Sequence, residues 1–391
     1  MKYDFDKVIN RIGTGSIKFD FVNERGKPCD ILPMWVADMD FPAPAKVLED
    51  MKQAVAHGIF GYTEPMADYF DAVSGWFQTR FGYTVERNEI VLTPGIVYAL
   101  AQMVLAYTKA GDSVMIQTPV YYPFYDIIRD NDRQVVKNPL IYQEGNYTID
   151  FDDFENKIKS ENVKLFILCN PHNPVGRVFT KAELMRISEI SKRYGVIIAA
   201  DEIHCDFVYP EYEHVTFGKI NEDSIICTAP SKTFNLAGLQ VSNIFIKNEN
   251  LRQKLKRQIN KSGYSQLNTL GLVACRSAYK NGAEWLDQLK EYLYGNISFT
   301  KAFLNERLPK VKLIPPQGTY LLWLDFSEYN LPQKQLDRLI VHKAKLWLDS
   351  GVMFGEDGHG FQRINIACPR KTLEIALLKL EKSLVNADEQ Q

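Results

Sequence analysis

No stretch of the 391-residue chain approaches the ~20 consecutive apolar residues of a membrane span. The start, Met1-Lys2-Tyr3-Asp4-Phe5, lacks the apolar core of a secretory leader, so none is expected. Neither sign of charge is in excess: Lys+Arg number 46 against 48 Asp+Glu, a net −2. That leaves no electrostatic footprint for nucleic acid or an anionic membrane, and neither is expected as a partner. The six cysteines are scattered, with no CxxC pair, and reduced thiols in a cytoplasmic protein are the simplest reading. The six histidines form no HExxH, so no metal is expected. Gly13-Thr14-Gly15 follows no strand and lacks the third glycine of a dinucleotide fingerprint, and no GxxxxGK[ST] occurs. Repeats and low-complexity tracts are absent as well.

What remains is an ordinary globular composition, 46% hydrophobic and 24% charged, in a chain long enough for two or three domains. Seven apolar runs read as strands: Glu89–Thr93, Ser113–Gln117, Gln134–Lys137, Val163–Cys169, Val196–Ala200, Ser224–Ala229 and Val241–Ile246. Several show little alternation, as strands covered on both faces do. Lys181–Tyr194 between them puts Leu184, Ile187 and Ile190 on one helical face. Alternating strands and helices predict an α/β fold with a mainly parallel seven-stranded sheet. Further on, Lys312–Pro315 and Tyr320–Leu324 look like strands, and Leu336, Leu339 and Ile340 mark a helix running to near Gly351. A last helix from about Lys371 carries Leu373, Leu377, Leu380 and Leu384 on one face, before a tail, Ala387–Gln391, that should fray. The expected organisation is a large domain over 51–284 and a smaller α+β domain over 285–391, joined by the segment 1–50.

In open α/β sheets ligands bind beyond the carboxyl ends of the strands, so the residues that follow each run are the informative ones. Gly95-Ile96-Val97 opens a helix; it is either a plain helix start or an anion cradle. Tyr121 is either packing or a ring that stacks on a flat ligand. Asn173 stands in a loop stiffened by Pro171, Pro174 and Gly176. Asp201 directly follows an apolar strand, where an acid is costly unless it caps a helix or meets a buried cation. Lys232, after Ala229-Pro230-Ser231, is either solvated or a poised nucleophile. Each signal is weak alone. Together they describe a site for a flat, phosphorylated, cationic heteroaromatic aldehyde, pyridoxal 5′-phosphate (PLP). Gly95, Ile96 and Val97 would take the phosphate, Tyr121 the ring face and Asn173 a ring oxygen. Asp201 would pair with the ring nitrogen and Lys232 would form the Schiff base.

These residues resemble the fold-type I PLP enzymes of the class I/II aminotransferase superfamily. Met34-Trp35-Val36-Ala37-Asp38-Met39-Asp40-Phe41, the run Ala229 to Gln240, and Arg363-Ile364-Asn365-Ile366-Ala367-Cys368-Pro369-Arg370 are more narrowly similar to the MalY/PatB-type cystathionine β-lyases. The resemblance implies the PLP-dependent transferase-like fold and a homodimer with shared sites. It makes Arg363 the clamp on the substrate carboxylate, with Ala37, Tyr121 and Asn173 beside it. Tyr62 would reach the cofactor phosphate of the neighbouring subunit, and Ser231 would add a phosphate contact. Three positions depart from the general aminotransferase pattern: Gln240 in place of a phosphate-binding Arg, Ala229 in place of a Ser, and His204 in place of a cofactor-bonding Tyr. The first departure is shared by the lyase subgroup. The expected activity is therefore cleavage of cystathionine or other L-cysteine S-conjugates to pyruvate, ammonia and a thiol. The alternative is an aminotransferase acting on an L-amino acid.

Overall fold

An apolar run covered by helices on both sides can bury both faces of its pleat, and the central strands form where such runs stand. The computed structural model describes residues 2–388; of the tail Ala387–Gln391, where fraying is expected, Ala387 and Asp388 belong to the last helix and the rest lies outside the described residues. A two-residue strand, β1 (Leu32–Pro33), comes first. The central sheet consists of β2 (Ile90–Thr93), β3 (Ser113–Thr118), β4 (Gln134–Gln143), β5 (Asn146–Ile149), β6 (Val163–Cys169), β7 (Ile197–Asp201), β8 (Ile225–Thr228) and β9 (Ser242–Ile246). Their order across the sheet is β2-β9-β8-β7-β6-β3-β4-β5. The ladders from β8 to β4 are all parallel, and the remaining three are antiparallel. Along β6, Leu165 and Ile167 join one buried cluster while Phe166 and Leu168 join the other, so the sheet separates two cores.

All seven expected strands are present, and the sheet gains an eighth. In β5 only alternate residues are buried, and it folds back on β4 through Glu144-Gly145, both with positive φ (49° and 84°). Such a left-handed two-residue turn matches the twist of a hairpin. Nothing in the Glu-Gly pair announced it as strongly as Asn-Gly would have.

The C-terminal part builds a second sheet from β10 (Lys312–Leu313), β11 (Leu321–Asp325), β13 (Asp349–Ser350) and β14 (Phe361–Asn365), in the order β10-β11-β14-β13, while β12 (Leu346–Trp347) pairs with β1. The helix expected to reach near Gly351 is shorter. It runs over Gln333–Arg338, passes into a π turn at Leu339–Lys343 and stops. Lys345 then takes a left-handed φ of 52°, which no helix continues through, and the apolar residues after it enter strands. The last helix, Arg370–Asp388, buries Leu373, Leu377, Leu380 and Leu384 as their spacing requires.

The N-terminal segment has little regular structure and is held by charge. Lys18, 1% exposed, bonds both Asp40 oxygens, and Arg11 grips Asp38 and Asp40. The Asn235 amide adds bonds to the backbone of Met39 and Phe41. These contacts lay the run Met34–Phe41 across the edge of the central sheet. Among the described residues no helix is long and apolar enough to cross a membrane.

Candidate active site

Strands β3, β6, β7 and β8 are parallel, and β2, antiparallel to β9 as β8 is, points the same way. All five therefore end on one edge. A cavity of about 150 Å³ opens there, lined by Ala37, Ile96, Val97, Tyr121, Asn173, Asp201, His204, Ser231 and Lys232 together with Cys169, Ile203 and Ala237. Most of the residues singled out by sequence meet in this one space.

Gly95 has φ 112°, a conformation that strains any L side chain, and its N–H donates to Ser242 Oγ at 3.1 Å. The helix Ile96–Tyr107 starts directly after it, so the N–H groups of Ile96 and Val97 have no acceptor within the helix and face the cavity wall. Asp201 closes β7 and is buried; its Oδ1 accepts from the Ile203 N–H at 3.1 Å. Among the described residues no cation lies within ion-pair distance of it, and burial raises its pKa to about 7. Lys232 sits on a single helical turn, Pro230–Thr233, after β8, and its Nζ donates to the Ala37 carbonyl at 2.7 Å. Burial first, then the Arg363 charge, lowers its pKa to about 8, against the opposing pull of Asp38 and Asp201. Tyr121 donates its N–H to the Asn173 carbonyl, and burial raises its phenol to about 12. His204 is held well below the ordinary imidazole range, by burial first and Lys232 second. Its buried Nδ1 has no partner among the described residues.

Arg363 does not line the cavity. From the middle of β14 it reaches the Asn173 amide oxygen at 2.8 Å with Nη1, and with Nη2 it meets the Trp35 carbonyl at 3.1 Å and the Asp349 carboxylate. Its guanidinium lies 4.7 Å from the Phe354 ring centre, and its buried Nε is unpartnered among the described residues. Arg363 thus ties the second sheet to the loop after β6. Tyr62 lies elsewhere: 99% exposed, it lines with Gln240 and Tyr264 an open depression of about 910 Å³.

Three contributors were missed in the sequence. Asp349 is 2% exposed and pairs with Arg363; burial raises its pKa against the Arg363 charge. It directly follows the apolar run Leu346-Trp347-Leu348, the same signal that singled out Asp201. Tyr320 OH donates to the Ala37 carbonyl at 3.0 Å, the acceptor Lys232 also uses. Trp35 stacks on Trp347 with centroids 4.4 Å apart while its carbonyl receives Arg363. Neither of these two had a local signal, because both act across hundreds of residues.

The donor set suits PLP. There is a buried carboxylate without a cation for a ring nitrogen, an unpaired ring nitrogen on His204, a helix start for a phosphate and a desolvated amine for an aldehyde. Residues 30–380 match the family described as aminotransferase class I and II. The chain belongs to that family. Within the class I and II aminotransferases it is 43% identical to cystathionine beta-lyase PatB of Bacillus subtilis, over 97% of this chain and all of the relative. Cystalysin of Treponema denticola, whose crystal structure contains PLP, superposes with a TM-score of 0.95 at 36% identity, covering 99% of this chain and all of that one. The PLP-bound C-S lyase of Staphylococcus hominis gives 0.92 at 35%, covering 98% and 99%. Among the described residues no group of His, Cys, Asp or Glu side chains is arranged to hold a metal ion.

Proposed function

We propose that the protein is a PLP-dependent carbon–sulfur β-lyase that takes cystathionine or another L-cysteine S-conjugate, with water, to a thiol, pyruvate and ammonia. The observation that carries the reading is the meeting of Lys232, Asp201, Asn173 and Tyr121 in one cavity of a chain this similar to a cystathionine beta-lyase. When bound, the cofactor withdraws electrons from the substrate Cα, which makes the α-proton removable and the Cβ–S bond breakable. Asp201 would pair with the ring nitrogen and hold its proton. The N–H groups of Ile96 and Val97, with Ser231, would hold the phosphate, while Asn173, His204 and Tyr121 would fix the ring. Lys232 Nζ would carry the cofactor and take the α-proton, a role suited to an amine lowered to about 8. The Ala37 carbonyl, itself fixed by Tyr320, keeps that amine aimed. Arg363 receives the substrate carboxylate, and Asp349 sets the plane of its fork.

The same proposal includes a homodimer in which Tyr62 reaches the neighbouring cofactor's phosphate, supported by the exposed apolar patch of Ile59, Phe60, Tyr62 and Met66. It also includes a large domain over 51–284 and a small one over 285–391 joined by 1–50, supported by the β1–β12 pairing. Cytoplasmic residence is proposed from six cysteines that are all free thiols. The deciding experiment incubates the purified holoenzyme with cystathionine and measures pyruvate against the amine form of the cofactor. Pyruvate in many-fold excess over enzyme is expected; accumulation of the amine form without pyruvate would overturn the lyase in favour of an aminotransferase.

A further inference from the structure

A second cavity of about 360 Å³ has a lining that includes Arg80, Cys205, Asp206, Glu213, His214 and Lys290. Four of these groups have bonding capacity left over. Lys290 is half-buried, and among the described residues no carboxylate pairs with its ammonium. Burial lowers its pKa, with the Asp206 charge as the largest opposing influence. His214 is buried and gives Nε2 to the Glu202 carboxylate at 3.1 Å, while its Nδ1 has no partner among the described residues. Facing a carboxylate, Nε2 carries the ring proton, which leaves Nδ1 as an acceptor in the neutral ring. Asp206 is buried, and its oxygens take Trp76 Nε1–H at 3.2 Å and Thr233 Oγ–H at 2.7 Å, with a lone pair left on each. Glu213 stands exposed at the rim without an ion pair among the described residues.

We infer that this cavity is a second binding site for a free amino acid, whose carboxylate is taken by Lys290 and whose ammonium is taken by Asp206, Glu213 and His214 Nδ1. The lining holds two cations, Arg80, which is paired to Asp287, and Lys290, which has no ion pair among the described residues, beside the acceptors of Asp206, Glu213 and His214; such a set complements a molecule bearing both charges. The site is also wired to the catalytic one. Asp206 bonds the side chain of Thr233, next in the chain to Lys232, and His214 bonds that of Glu202, next to Asp201. An occupant that draws on Asp206 and His214 therefore bears on both cofactor-facing residues through one hydrogen bond each.

The test uses holoenzyme reduced with borohydride, which fixes the cofactor to its lysine and closes the active site to any added amine. Calorimetric titration with each of the twenty common amino acids, and with acetate and methylamine as single-charge controls, reads binding at the second cavity alone. Saturable binding of at least one amino acid is expected, at one site per chain. The single-charge controls should bind at least about tenfold more weakly, since each leaves a charged group unpaired. Lys290→Gln should weaken binding by a similar factor, and Glu213→Gln, on the exposed rim, gives a second variant that does not threaten folding. No saturable binding up to about 10 mM would overturn the inference, since weaker affinities fall outside specific recognition. So would acetate binding as well as the amino acid, or affinity unchanged in both variants.

Discussion

Asp201 is where the structure makes its sharpest energetic claim. Its carboxyl is raised from 3.8 to about 7, chiefly by burial, in a protein free of cofactor. A folded-state pKa above the unfolded one means that the folded protein holds the proton more tightly. The stabilisation is then complete below about pH 4 and is lost as the pH rises towards 7. About three pKa units at ~1.4 kcal/mol each put the penalty above pH 7 at about 4 kcal/mol, with the opposing pull of the Lys232 charge already included. Asp201→Asn keeps the shape and removes the buried charge. Cofactor-free Asp201→Asn protein should therefore melt above the parent at pH 8, match it near pH 4 and lose most of the fall in stability between them. With cofactor the order should reverse, because an amide cannot balance a protonated ring nitrogen, and turnover should fall by orders of magnitude. Calorimetric melting of both proteins, with and without PLP, from pH 4 to 8 measures all of this. If the cofactor-free variant is no more stable than the parent at pH 8, the claim that burial of Asp201 outweighs its bond from Ile203 and the Lys232 charge is wrong.

Lys232→Ala should lose at least about 10³-fold in kcat while still binding PLP non-covalently, visible as a cofactor band that borohydride no longer fixes to the chain. Arg363→Lys should raise KM for cystathionine about tenfold or more with a smaller change in kcat, since a point charge cannot replace the planar fork; an unchanged KM would remove Arg363 from substrate binding. Asp349→Asn leaves a buried guanidinium without its counter-charge and should cost about 3–5 kcal/mol of stability in chemical denaturation, far more than any exposed ion pair of this protein.

The chain's local chemistry announced much of this site. Apolar runs marked the strands, and the residues behind them, Gly95, Tyr121, Asn173, Asp201 and Lys232, proved to share an edge because parallel strands point their carboxyl ends the same way. Asp349 carried the same signal as Asp201 and went unread. The eighth strand was hidden because its turn is made by Glu144-Gly145, which could equally end a strand as reverse it. The helix before β12 was overestimated because Leu346-Trp347-Leu348 fits a helical face as well as a strand, and only the pairing with Leu32–Pro33 decides between them.

Sequence by itself determined which residues could do chemistry, since the period of apolar burial and the residue types at strand ends are local properties of the chain. Tertiary structure alone decided which of them meet. The Ala37 carbonyl takes a hydrogen bond from Lys232, Asp349 and Trp35 hold Arg363, and His214 and Asp206 share a second cavity. Desolvation and hydrogen-bond geometry depend on what surrounds a group in space, and Lys232 and Arg363 take these partners from distant segments of the chain.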